Sequence, residues 1–222
     1  MKLLVLGDSL SDGGWERDPA GIGSAWPSAL ARLAAGDGLE LEITNRARGG
    51  SRSFETLVGY REAPELSGFD IVAVLVGAND LWRRWVPWSG HAPIDPEDYG
   101  RNLTKIVKLA RERGTERVWI LTPCLLHSDP DHEWNREMGE YREVCARVAQ
   151  LETCQLVPTG DDFEAAVRGL NDIKWTYDGV HPRPIGQERL AWTVYHHAMN
   201  GKPLDADRIP PRPTEHRLGR WP

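Results

Sequence analysis

Four short stretches of this 222-residue chain hold side chains that can do chemistry together. Ser9 lies in Gly7-Asp8-Ser9-Leu10-Ser11-Asp12-Gly13, and Gly49 and Gly50 close the run that begins at Asn45. Asn79 lies in Gly77-Ala78-Asn79-Asp80, and His181 in Asp178-Gly179-Val180-His181-Pro182. The chemistry such a set can do is acyl transfer. A serine hydroxyl is a poor nucleophile at neutral pH and needs an adjacent base, usually a histidine oriented by a carboxylate. Ser9 supplies the hydroxyl and His181 the base. Asp178, three residues before the histidine, can fold back to hold the imidazole in one tautomer. A tetrahedral intermediate also needs preorganised donors for its oxyanion. A glycine lets a ligand approach a backbone N–H, and the Asn79 amide adds a side-chain donor. Triads are recognised by the roles of their members and not by their order along the chain.

The elements that must position these residues are legible as alternating strands and helices. Leu3–Leu6 is a wholly apolar run ended by Gly-Asp-Ser, as expected of a strand covered on both faces. Leu39–Thr44, Ile71–Val76, Val118–Leu121 and Gln155–Val157 are further strand candidates. Helical spacing of apolar residues marks 24–35, 97–113, 134–151 and 185–199. Pro27 suits a first helical turn, and Gly114 stands where the second of these helices would end. Strands alternating with helices imply βαβ units with right-handed crossovers, hence a parallel sheet between two helix layers. In such open sheets the functional loops gather beyond the carboxyl ends of the strands, and all four stretches fall there.

At this point the chain resembles a known family, the SGNH (GDSL-like) hydrolases, named for a Ser, a Gly, an Asn and a His in four blocks. The first block is present around Ser9, the third around Asn79, and the last around His181, followed by Ile185-Gly186-Gln187 opening a helix. The resemblance spans roughly residues 2 to 200 and implies a three-layer α/β/α sandwich with a central parallel sheet of about five strands, a flavodoxin-like arrangement. It implies Ser9 as nucleophile, His181 as base and Asp178 as its partner, with the Ser9 amide, a glycine amide and Asn79 around the oxyanion. The second block departs from the usual pattern, because Ala47 stands two residues after Asn45 where the family often has glycine. Gly50, five residues after Asn45, is the expected donor, with Gly49 as the fallback. The GxSxG elbow of the α/β-hydrolases is missing.

Other residues have plainer readings. Ser9 on its own could cap a helix, and His181 could be a loop residue; the company each keeps argues for catalysis. Asp8 and Asp12 are expected to pin the first loop through backbone hydrogen bonds, and Asp80 to support the turn that presents Asn79. His127-Ser-Asp-Pro-Asp-His132 lacks an established ligand pattern, so no metal is expected. Cys124, Cys145 and Cys154 form no CxxC pair and are odd in number, which argues against a disulfide framework and a zinc site. They read as small apolar fillers. The 10 tryptophans are unusual. Trp82, Trp85 and Trp88 follow Asn79 closely and are open between a lid over the substrate, core, and a subunit contact.

A net charge of -6 and scattered basic residues exclude a nucleic-acid surface as the main expectation. The apolar start ends at Gly7-Asp8, too short for a signal peptide, and no run of 18 apolar residues exists. A cytoplasmic enzyme is therefore expected, with a removed leader left open. Residues 1–200 read as one hydrolase domain and 201–222, with five prolines, as a surface or disordered tail. The expected function is hydrolysis of a carboxylic ester through an acyl-serine, without cofactor. The substrate is a small ester, of short or acetyl type, on a carbohydrate as one option. The alternatives are an acyltransferase using the same acyl-serine and an inactive binding module on this scaffold. Oligomeric state is left open.

Overall fold

The computed structural model describes residues 1–86, 88, 90–124, 132–170 and 174–199. Five strands, β1 (Lys2–Gly7), β2 (Glu42–Asn45), β3 (Ile71–Leu75), β4 (Arg117–Leu121) and β5 (Gln155–Val157), form one sheet. Its order is β2-β1-β3-β4-β5 and every pairing is parallel. Leu4 faces Val72 across β1 and β3, and Val72 faces Val118 across β3 and β4. The central strands are apolar at consecutive positions because both faces are covered. Leu3, Leu4, Val5, Ile71, Val72 and Ala73 have no accessible surface at all.

Among the described residues eight α-helices connect and cover the sheet: α1 (Ser9–Asp12), α2 (Trp26–Gly36), α3 (Ser53–Arg61), α4 (Ala78–Trp82), α5 (Pro96–Glu112), α6 (Glu133–Leu151), α7 (Thr159–Gly169) and α8 (Pro184–Val194). Helices α2, α7 and α8 pack together, and α3, α5 and α6 pack together. Right-handed crossovers put these two groups on opposite faces, since the chain moves one way from β1 to β2 and the other way from β2 through β5. The expected α/β/α sandwich is present. The direction reverses between β1 and β3, which opens a crevice at their carboxyl ends.

Three details differ from the sequence reading. Strand β2 begins at Glu42 and not at Leu39, because the C-terminal turn of α2 takes the Leu39 N–H onto the Ala34 carbonyl at 2.9 Å. Gly38, at φ 73°, makes that turn. Helices α3 and α7 were not expected, since α3 contains Gly59 and exposes Phe54, so its apolar spacing is poor. The last helix is α-helical only to Val194 and continues as a π-turn over Tyr195–Met199.

The tryptophans divide. Trp26 is fully buried and donates its indole N–H to Ser11 Oγ at 2.8 Å; Trp175 is also core and meets Phe163 edge-on. Trp82 is half-buried against the core, Trp85 lies 5.6 Å from the His132 ring, and Trp88 is exposed. Cys124 and Cys145 are buried and Cys154 is half-buried, all as free thiols. Among the described residues no helix is long and apolar enough to cross a membrane. The tail 201–222 lies outside the described residues, as do His127–Asp131 of the histidine-rich loop.

Candidate active site

The first loop is built by a close approach of backbones. Gly7 ends β1 at φ 156°, where an added Cβ would lie 2.1 Å from the Leu75 carbonyl oxygen, so no side chain fits there. The next N–H, of Asp8, bonds that same carbonyl at 3.3 Å. The Asp8 carboxylate then caps α1 by accepting the Leu10 N–H at 3.0 Å. Ser9 is thereby the first residue of α1, at the mouth of the β1–β3 crevice. The role expected for Asp8 is met, and at a cost: burial pushes its carboxyl up to about 7, and its Oδ2 has no partner among the described residues.

His181 comes from the far end of the chain. Thr176 and Pro182 form an antiparallel bridge, and the Tyr177 N–H bonds the His181 carbonyl at 2.9 Å. Inside this tight hairpin Asp178 Oδ1 accepts the N–H groups of Val180 at 2.9 Å and His181 at 2.7 Å. Its Oδ2 meets His181 Nδ1 at 2.7 Å, and His181 Nε2 lies 3.1 Å from Ser9 Oγ. With the Nδ1 proton directed at the carboxylate, Nε2 is the acceptor for the serine hydroxyl. Partial burial pushes the Asp178 carboxyl up, but the bonds from His181 and Val180 outweigh it and hold it below the usual range. The Asp178 and His181 side chains are 52% and 42% exposed, so the relay opens directly to solvent.

Asn79 is presented by α4, after Gly77 at φ 132°. An added Cβ at Gly77 would be squeezed between the Tyr99 hydroxyl and Pro123 at 3.0 to 3.1 Å. One amide hydrogen of Asn79 goes to the Ser51 carbonyl at 3.1 Å, which leaves its second hydrogen without an acceptor among the described residues. Asp80, expected to support this turn, directs its side chain to α3 instead. Its buried carboxylate accepts the Ser53 N–H at 2.9 Å and the Ser53 hydroxyl, holding the first residue of α3. Burial pushes that carboxyl up to about 6.

The glycine loop is anchored by Asn45, whose structural part the sequence reading did not see. Its buried amide donates to the carbonyls of Ser11 at 2.7 Å and Ile22 at 2.9 Å, and its Oδ1 accepts the Ala47 N–H at 3.0 Å. The only sequence signal for this was its place at the end of a strand. Asp12, expected to pin the first loop, accepts the Gly14 N–H at 3.0 Å and reaches across to the Gly49 N–H at 2.8 Å. The Gly49 amide is therefore engaged. The N–H groups of Ser9 and Gly50 have no acceptor among the described residues. Gly50 adopts φ 78°, a conformation that favours glycine.

The structure brings Ser9, His181 and Asp178 into one hydrogen-bonded relay. Asn79 and the 49–50 loop are joined through Ser51, and Asp12 joins that loop to α1. Among the described residues no three His, Cys, Asp or Glu side chains are grouped to hold a metal ion.

A parallel sheet with these loops at its reversal point is the architecture of an α/β carboxylic ester hydrolase of the SGNH type. The chain belongs to the GDSL-like lipase/acylhydrolase family, whose model matches residues 5–189. It is similar to an acetylxylan esterase of Geobacillus stearothermophilus, at 25% identity over 199 residues, covering 86% of this chain and 90% of that protein. It is also similar to an arylesterase of Vibrio mimicus, at 27% identity over 191 residues, covering 86% and 84%. The crystal structure of Axe2, an acetylxylan esterase from Geobacillus stearothermophilus, superposes with a TM-score of 0.78 at 21% identity, covering 88% of this chain and 92% of that one. That last likeness concerns the fold.

Proposed function

We propose that this protein hydrolyses short acyl esters, acetyl groups on a carbohydrate in particular, through an acyl-serine intermediate. Ser9 Oγ attacks the carbonyl carbon while its proton passes to His181 Nε2. The imidazolium that results is stabilised by the Asp178 carboxylate. The carbonyl oxygen becomes an oxyanion facing the N–H groups of Ser9 and Gly50 and the second amide hydrogen of Asn79. Collapse of this intermediate breaks the bond to the alcohol oxygen, which leaves with the proton from His181. Water then attacks the acyl-serine and gives its proton to His181; collapse of the second intermediate breaks the bond to Ser9 Oγ, which takes that proton back from His181 as the acid leaves.

The observation that carries this reading is the continuous relay from Ser9 Oγ to His181 at 3.1 Å and from His181 to Asp178 at 2.7 Å. Support for an acetyl substrate comes from the acetylxylan esterase that the chain resembles over most of its length. Tyr177, exposed beside Asp178, carries the Arg183 guanidinium over one face of its ring at 4.5 Å, so a sugar ring would stack on the opposite face. The test is hydrolysis of p-nitrophenyl acetate by the wild type and by Ser9→Ala. The variant is expected to lose about three orders of magnitude or more in kcat while its circular dichroism is unchanged. Equal activity in both proteins removes Ser9 from the mechanism. Acetyl, butyryl and octanoyl aryl esters, with acetylated xylo-oligosaccharides beside them, test the substrate. A preference for octanoyl overturns the short-acyl assignment.

A further inference from the structure

The peptide between Gly49 and Gly50 carries an N–H with no acceptor among the described residues, the one assigned above to the oxyanion, and it lies between two glycines. Ordering a residue's backbone costs conformational entropy, and glycine has the most freedom to lose. Two side chains of opposite charge hold this peptide from its two sides. Asp12, on α1, accepts the Gly49 N–H at 2.8 Å. Arg83, at the C-terminal end of α4, donates from one Nη to the Gly50 carbonyl at 3.3 Å. The tethers come from the helix that begins with Ser9 and from the helix that presents Asn79.

We infer that Asp12 and Arg83 are positioning residues that aim the Gly50 N–H at the oxyanion, an assignment that rests on the acyl-serine reading above. Asp12 acts twice. It occupies the Gly49 N–H, so that this amide cannot rotate in to compete, and it fixes the plane on the amino side of the glycine pair. Arg83 fixes the plane on the carboxyl side, where Asn79 holds the next carbonyl, that of Ser51. With both neighbouring peptides held, the freedom of the Gly50 N–H is restricted. Among the described residues Arg83 is paired with no carboxylate; its guanidinium lies over the Trp82 ring at 5.7 Å and bonds the Gly50 carbonyl.

Labelling by an alkyl fluorophosphonate, followed by intact mass, reads this geometry without any natural substrate. Ser9 Oγ bonds to phosphorus, fluoride leaves, the serine proton goes to His181, and the phosphoryl oxygen occupies the oxyanion position. Arg83→Met and Asp12→Ala are each expected to slow labelling about tenfold, less than loss of a donor itself costs. The same variants should lower kcat on p-nitrophenyl acetate by a similar factor with KM within about twofold, and Arg83→Lys should recover most of the rate. Labelling of both variants at the wild-type rate overturns the inference. A rise in KM for Arg83→Met with kcat and labelling unchanged also overturns it, and makes Arg83 a substrate contact instead. If Asp12→Ala does not fold, Arg83→Met and Arg83→Lys decide the matter alone. Ser9→Ala is run in parallel: if it is still labelled, the acyl-serine reading fails, independently of Asp12 and Arg83.

Discussion

The Asn79 side-chain amide is bonded to the Ser51 carbonyl at 3.1 Å, so one of its two hydrogens is spent on the glycine loop and the other is aimed by that bond. A primary amide is planar, and fixing one N–H fixes the other. Asn79→Ala is therefore expected to lower kcat by about 10²–10³ with KM little changed, as removal of an oxyanion donor does. Steady-state kinetics on an aryl acetate measures it. A change confined to KM would move Asn79 from the transition state to substrate binding.

Gly50 and Gly49 should respond differently to alanine. Gly50 sits at φ 78°, where a Cβ costs roughly 1–2 kcal/mol and shifts the backbone that carries the donor. At Gly49 the backbone is ordinary, and a Cβ would meet Asp12 Oδ2 at 3.3 Å and Ser9 Cβ at 3.9 Å, contacts that a small adjustment relieves. Gly50→Ala should lose both stability and kcat, and Gly49→Ala less of each. Urea unfolding and kcat measured side by side would contradict this if Gly49→Ala were the more damaging.

Asp178 is held below its ordinary value of 3.8, so it is ionised at every pH at which the enzyme would be assayed. Its bonds in the folded state contribute stability above the unfolded value, and that contribution is lost as the pH falls through the folded value. The pH–rate profile should accordingly show no inflection from Asp178 above about pH 4. Asp178→Asn replaces the acceptor of the Nδ1 proton by an amide that can donate, and should lower kcat by about 10³–10⁴. Retention of more than a tenth of the wild-type rate would falsify the orienting role.

Asp8 predicts the opposite slope. Burial pushes its folded value to about 7 from 3.8, so between about pH 4 and 7 the folded protein binds a proton that the unfolded chain does not. Its contribution to stability therefore falls as the pH rises through that window and levels off above it. Asp8→Asn keeps an oxygen for the Leu10 N–H and cannot ionise. Relative to wild type its unfolding free energy should rise between pH 4 and 8, on the order of 4 kcal/mol for a shift of three pH units. Urea unfolding of both proteins at the two pH values tests this, and an identical difference at both would show that Asp8 does not titrate in this range.

The thiols should be inert. Burial pushes Cys124 and Cys145 up to about 12 and Cys154 to about 11, so almost no thiolate is present at neutral pH. Iodoacetamide at pH 7.5 should leave esterase activity intact, with alkylation appearing only in denaturant. Rapid inactivation by one equivalent of reagent would point to a reactive cysteine.

The sheet was legible because a parallel strand covered on both faces must be apolar at consecutive positions, and Leu3–Leu6, Ile71–Leu75 and Val118–Leu121 are. Strand β2 was misplaced at its start because Leu39 is as apolar as a strand residue, while its N–H belongs to the turn that ends α2. Apolarity alone does not record which carbonyl an amide will find. The tryptophans make the same point. Trp26 and Trp88 are one residue type, yet one is core and the other is exposed, and only packing separates them.

The sequence by itself determined which residue types follow β1 and β3 and precede the last helix, and so determined Ser9, Asn79, Asp178 and His181 as the candidates for one site. It did so because an open α/β sheet collects the loops at the carboxyl ends of its strands whatever their order along the chain. Only the tertiary structure decided what those loops do to one another. Whether Gly49 or Gly50 offers its N–H depends on where the Asp12 carboxylate lands, 37 residues earlier in the chain. Asn45, Asp80 and Arg83 act through hydrogen bonds to backbone groups of other loops. A backbone N–H or carbonyl looks the same at every position of a sequence, and its partner is chosen by folding.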